Sequence, residues 1–142
     1  MGEQEMVADR RGLFASLQKM RLLLVEDDAL IRDGLRLFFE SEGCRLDVLE
    51  TAEEAVEAVR RREYDIVITD YRLPGMDGLM FLRELHECRP RTMRILLTAY
   101  MDEDVLADAF RVGVHEFIEK PFNSADIEEA LARLIAKKAA TV

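Results

Sequence analysis

Apolar residues along this chain follow two alternating patterns. Short segments with an apolar centre occupy residues 21–25, 45–49, 65–69, 94–98 and 115–119. Runs of that length, bounded by turn residues, predict strands buried on both faces. The third is the strongest case, because Ile66, Val67, Ile68 and Thr69 are all β-branched. Between these runs, apolar residues recur every three or four positions, as on one face of a helix. The segment 30–42 carries Leu30, Ile31, Leu35, Leu37, Phe38 and Phe39, which predicts a helix with a wide apolar face closed by Gly43. Thr51 with Glu54 forms a capping box that opens a helix through about Arg62. A helix over 78–88 is stopped by Pro90, and Asp102 caps one that ends at Gly113. The last helix runs over about 123–138, with Lys137 and Lys138 at its favourable end.

Strand and helix therefore alternate five times. That order predicts an α/β fold, a parallel sheet with helices on both faces. Residues 1–19 stand outside the alternation. Met6, Leu13, Phe14 and Leu17 give them a weak helical spacing, so they are either an extra helix or a loose arm. The expected division is an extension at 1–19 and one folded domain at 20–142.

What ends each strand changes the picture from fold to chemistry. A parallel sheet gathers its strand C-termini on one edge, where ligands bind in open α/β sheets. The first strand ends in Glu26, Asp27 and Asp28, the third in Asp70, the fourth in Thr98 and the fifth in Lys120. Asp70 is followed by the turn residues Pro74, Gly75 and Gly78. Carboxylates brought together raise one another's pKa, and a divalent cation relieves the repulsion. Hard oxygen ligands in a site open to water suit Mg²⁺ better than zinc. A lysine ammonium and a threonine hydroxyl can then hold a phosphoryl group. Asp70 is left to act as a nucleophile toward phosphorus. Taken singly, each residue has a plainer role: Asp28 as a helix N-cap, Lys120 as a surface lysine, Thr98 as a strand-end hydroxyl. The joint pattern carries the inference.

That pattern resembles the receiver domain of two-component response regulators. The motifs are Leu24-Val25-Glu26-Asp27-Asp28, Asp70-Tyr71-Arg72-Leu73-Pro74-Gly75-Met76-Asp77-Gly78, Leu97-Thr98-Ala99 and Glu119-Lys120-Pro121-Phe122, within residues 21–138. The resemblance implies a flavodoxin-like (βα)5 three-layer sandwich with strand order 2-1-3-4-5, one of the common doubly wound orders. It implies that Asp70 accepts a phosphoryl group from a sensor histidine kinase or phosphotransfer protein. Asp27, Asp70 and the backbone carbonyl of Arg72 would hold Mg²⁺, with Glu26 acting through water. Thr98 and Lys120 would bind the phosphoryl oxygens. Thr98 and Phe117 would form the switch, the Lys120–Pro121 bond would be cis, and Ala99 would keep the site accessible. The face spanning residues 102–138 would signal to a partner or form a homodimer, and the helix at 30–42 would dock the kinase. Such a domain is a signalling module that catalyses its own phosphoryl transfer and dephosphorylation, not a conventional enzyme.

Composition narrows the alternatives. A net charge of -9 argues against direct nucleic-acid binding and against an anionic membrane surface. No apolar run approaches a membrane span and residues 1–19 lack a signal peptide's apolar core, so a cytoplasmic location is expected. Cys44 and Cys88 are far apart and read as reduced thiols. A phosphatase with an aspartyl-phosphate intermediate needs a second Asp two residues after the nucleophile, where this chain has Arg72. A flavin module needs a phosphate-cradling loop where it has Glu26-Asp27-Asp28.

Overall fold

The computed structural model describes residues 3–140, and the side chains of residues 10–139. The elements run α1 (Glu3–Leu17), β1 (Arg21–Val25), α2 (Ala29–Ser41), β2 (Arg45–Leu49), α3 (Ala52–Arg61), β3 (Ile66–Asp70), α4 (Gly78–Cys88), β4 (Met93–Thr98), α5 (Glu103–Arg111), β5 (Glu116–Glu119) and α6 (Ser124–Ala140). The five strands form one parallel sheet of order β2-β1-β3-β4-β5. This is the flavodoxin-like arrangement expected. The third strand includes Asp70 itself, one residue later than the apolar run indicated.

Two cores follow from the pleat, since alternate strand residues face opposite sides. Leu22, Leu24, Ile66, Ile68, Ile95 and Leu97 pack toward α2 and α6. Leu23, Val25, Val67 and Leu96 pack toward α3, α4 and α5. The three central strands are thus apolar on both faces, as strands covered on both sides must be.

Side-chain caps set the helix starts. Asp28, Thr51, Asp77 and Asp102 accept the backbone N–H of Ile31, Glu54, Met80 and Val105 at 2.9–3.1 Å. Gly43 and Gly113, just past α2 and α5, take φ near +75°, the left-handed conformation that ends helices. The apolar face of α2 is narrower than the spacing suggested. Leu35 and Phe39 are buried, but Leu30 and Leu37 are 85% and 69% exposed. One face of α2 meets the sheet, and no described element covers the other.

Residues 3–17 form α1. Leu13, Phe14 and Leu17 are buried in the α2–α6 core, and the Phe14 and Phe38 rings meet edge to face at 5.8 Å. Arg10 reaches Glu42 and Glu128, tying α1 to the end of α2 and to α6. The Met6 side chain lies outside the described residues.

Candidate acidic site at the sheet edge

The C-terminal edge of β1, β3, β4 and β5 brings the sequence-named residues together. Glu26 follows β1, and its backbone N–H donates to Leu49 O at 3.0 Å, extending the sheet by one rung. Its side chain is fully buried, while Asp27 beside it is exposed. Asp70 is the last residue of β3 and 5% exposed. Glu26, Asp27 and Asp70 each offer an oxygen, all within 4.8 Å of one another. Lys120 Nζ lies 2.9 Å from Asp70 Oδ2 and 3.2 Å from Glu26 Oε2.

The backbone is pinned at each corner. Lys120 N–H donates to Thr98 O at 2.9 Å, and the Lys120–Pro121 peptide is cis. Tyr71 N–H donates to Leu97 O at 2.9 Å, and Gly78 N–H to Tyr71 O at 2.8 Å. The second bond folds the start of α4 back against Asp70. A Cβ on Gly78 would stand 2.0 Å from Asp70 O, so only glycine fits there. Thr98 is buried, and its Oγ1 accepts the N–H of Tyr100 at 2.8 Å, which leaves its own proton free to donate. Phe117, on β5 beside Leu96, is half-buried against the α3–α5 core. Arg72 lies outside the carboxylate group, its guanidinium 4.5 Å from the Tyr100 ring centre and 5.6 Å from that of Tyr71.

The electrostatics are one-sided. Three carboxylates face one ammonium. Burial, reinforced by the negative charge of Asp70, pushes the Glu26 carboxyl up to about 7; the Asp28 N–H and Lys120 oppose this in part. For Lys120, burial pulls the pKa down, but hydrogen bonds and charge from Asp70 and Glu26 outweigh it and hold the ammonium above its ordinary value. A buried carboxyl with so high a pKa is an incompletely compensated site. Hard oxygen donors carrying surplus negative charge fit a divalent cation of the Mg²⁺ type.

Two supporting side chains had no signal in the spacing. Arg32, on the first turn of α2, donates to the carbonyls of Glu26 and Asp27 at 3.1 and 3.2 Å and so holds the acidic loop from behind. Glu53, on α3, accepts Met76 N–H at 3.3 Å and steadies the turn after Asp70.

Known proteins are similar to this chain in sequence and in fold. A family model described as the response regulator receiver domain matches residues 22–132. The DNA-binding transcriptional regulator NtrC of Escherichia coli K12 is 33% identical over 82% of this chain and 24% of its own length. The transcriptional regulatory protein QseB of Escherichia coli O157:H7 is 35% identical over 83% of this chain and 54% of its own length. The chain thus spans about a quarter of one relative and half of the other. Among solved structures, a CheY-like receiver domain protein from Methanospirillum hungatei superposes with a TM-score of 0.81 at 26% identity, covering 87% of this chain and 98% of that one. The receiver domain of the sensor histidine kinase PA1611 from Pseudomonas aeruginosa, which has a magnesium ion coordinated in its active-site cleft, superposes at 0.75 with 28% identity, covering 82% and 98%. Among the described residues no helix is long and apolar enough to cross a membrane. Sheet order, acidic cluster and family match agree, and the chain belongs to the response regulator receiver domain family of two-component signalling.

Proposed function

We propose that Asp70 accepts a phosphoryl group from a histidine kinase or phosphotransfer partner and that the domain then signals through the face formed by α5, β5 and α6. The observation that carries this reading is the buried Asp70 carboxylate beside Lys120, in a cluster with Glu26 and Asp27 that has more negative charge than the protein itself neutralises. Asp27, Asp70 and the Arg72 carbonyl would hold Mg²⁺, with Glu26 through water. Bound there, the ion supplies positive charge opposite the transferring phosphoryl oxygens. An Asp70 oxygen attacks phosphorus in line, a P–O bond forms, and the P–N bond to the donor imidazole breaks. Lys120 neutralises charge on the phosphoryl oxygens from its side of the site. Thr98 donates its free hydroxyl proton to one of them. Moving Thr98 opens space that Phe117 turns in to fill, and the equilibrium of the α5–β5–α6 face shifts, toward a partner or a homodimer.

On this reading the protein is a signalling module with self-catalysed phosphoryl transfer and loss, working in the cytoplasm. It is divided at about residue 20, and α2 serves as the main kinase-docking element. DNA contact belongs to the named activity of relatives such as NtrC; the acidity of this chain gives it no part in that. The test is intact mass after incubation with acetyl phosphate, with and without Mg²⁺, for the wild type and Asp70→Asn. One phosphoryl adduct that needs both Mg²⁺ and Asp70 is expected. An unmodified wild type would overturn the proposal.

A further inference from the structure

Among the described residues β2 is an edge strand, paired with β1 alone. A groove of about 460 Å³ runs along it. Residues 46–49, four in a row, line this groove, so its floor is the strand's own outer edge and not one face of the sheet. Arg36 and Glu40 of α2 form one wall; Arg61 of α3, with Arg62 and Tyr64 after it, forms the other. A second hollow continues past the strand's start, lined by Arg21, Arg45, Asp47 and Arg62.

Charge here runs against the molecule. In a chain of net charge -9, five arginines and two carboxylates line the hollows of this edge, and a third carboxylate, Glu57, pairs with Arg61 at 3.4 Å. One of those carboxylates, Asp47, is already engaged: it accepts the Tyr64 hydroxyl at 2.6 Å and pairs with Arg62 at 3.5 Å. Arg21 and Arg45 are register partners on adjacent parallel strands, a placement of like charges that costs stability. Arg36 and Arg45 form no ion pair among the described residues. Leu46, Val48 and Leu49 are half-buried beside the groove and leave apolar surface for alternate side chains of an added strand.

We infer that the β2 edge is a docking surface for an extended acidic segment of a partner protein, which adds to the sheet as a sixth strand. Outward N–H and C=O groups of β2 bind the segment's backbone, and the arginine walls select carboxylates over ammonium groups. A second copy of this chain is a poor occupant, because two β2 edges related by a two-fold axis would set the same arginines against each other.

The experiment uses a fluorescein-labelled octapeptide of alternating glutamate and valine, titrated against the whole chain by fluorescence anisotropy. Comparison peptides carry lysine for glutamate, or N-methyl groups on alternate amides. Saturable binding that weakens with added salt is expected for the acidic peptide alone. It should shift the amide resonances of residues 45–49. Arg36→Glu with Arg61→Glu should weaken it by about tenfold or more, while Arg83→Glu with Arg91→Glu, an equal charge change on exposed sites elsewhere, leaves it in place. Four results would each overturn the inference: no saturable binding, equal loss in both double variants, undiminished binding of the N-methylated peptide, or shifts confined to other residues. Dimerisation of the chain alone with protection of amides 45–49 would replace the partner by a second copy. None of these outcomes depends on phosphorylation of Asp70.

Discussion

Both ends of the sheet bury charge, but they balance it differently. At the C-terminal edge, Glu26 and Asp70 share one ammonium, that of Lys120, and Asp27 adds a third carboxylate beside them. At the starts of β4 and β5 the buried polar groups are nearly all partnered. The Arg94 guanidinium, on β4, gives hydrogen bonds to the carbonyls of Pro90 and Gly113 at 2.9 and 3.1 Å; its Nε is the one buried polar side-chain atom left without a partner among the described residues. Glu116 lies between Arg133 and Lys137. His115 Nδ1 accepts the Arg94 N–H at 3.0 Å, a bond only the neutral ring can make. Matched groups hold the fold together and have nothing left to offer a ligand. Surplus groups cost stability and are ready for chemistry.

The largest expected effect breaks the acidic end by geometry alone. Gly78→Ala drives a Cβ into the Asp70 carbonyl. Since backbone there cannot yield without moving Asp70, the cost should be about 3 kcal/mol, the upper end for overpacking. Thermal melting checks the stability and acetyl phosphate labelling checks the site; a variant with unchanged melting and labelling would show that the close approach is relaxed in solution.

Next come two substitutions of opposite sign. In metal-free buffer Asp70→Asn should stabilise the protein by about 1 kcal/mol by removing repulsion from Glu26, while Glu116→Gln should destabilise it by about 1 kcal/mol by loosening two partly exposed ion pairs. Denaturant melts decide this, and equal signs would erase the contrast between the two ends.

The pH dependence of the two ends should also oppose. The folded Glu26 carboxyl, at about 7, holds its proton more tightly than in the unfolded chain. Its contribution is therefore largest in acid and is lost as pH rises through about 7. Burial, with the charges of Arg94 and Lys137, lowers His115 below its ordinary 6.5. At Glu116, burial raises the pKa but is outweighed by Lys137 and Arg133, which hold it below the usual carboxylate value. Both then stabilise above their unfolded values, and that stability fades as pH falls, from about 6.5 downward for the histidine and from the ordinary carboxylate value downward for Glu116. Metal-free Glu26→Gln should lose the decline on the alkaline side and keep the acid one. If the alkaline decline survives in that variant, Glu26 is not its source.

Added Mg²⁺ should act at the acidic end alone, raising the wild-type melting point and leaving Asp70→Asn unmoved. At ten times its dissociation constant the gain is about 1.4 kcal/mol. The smallest effect is kinetic. Arg72→Ala and Tyr100→Ala remove a guanidinium stacked on an aromatic ring at the rim, and each should change the lifetime of the phosphorylated state by a few-fold with little change in how much forms. Identical decay in both variants and the wild type would remove the rim from the mechanism.

The fold was largely readable because its signals are local. Short apolar segments, β-branched throughout in the third, mark strands, and Thr51, Asp28 and Asp102 mark helix starts within a few residues of the bonds they make. The strand-end carboxylates, Thr98 and Lys120 were likewise visible as the last residues of their runs. The α2 face was overread because hydrophobic spacing cannot say whether a neighbour exists; Leu30 and Leu37 have the residue type of a core and the exposure of a surface. Arg32 and Glu53 escaped because each acts on backbone atoms of a loop, and no residue pattern records which carbonyl or N–H a side chain will meet.

The sequence by itself determined the five strands and the five helices that follow them, to within a residue or two, and which side chains stand at the strand ends, since backbone preference and hydrophobic period act over a few residues. Tertiary structure decided everything that depends on distance across the chain. It set Lys120 2.9 Å from Asp70, buried Glu26 far enough to raise its carboxyl to about 7, and laid α1 over α2 and α6. It also collected five arginines, scattered from residue 21 to 62, along one free edge. Coulomb energy and desolvation depend on spatial separation and burial, and folding alone sets those.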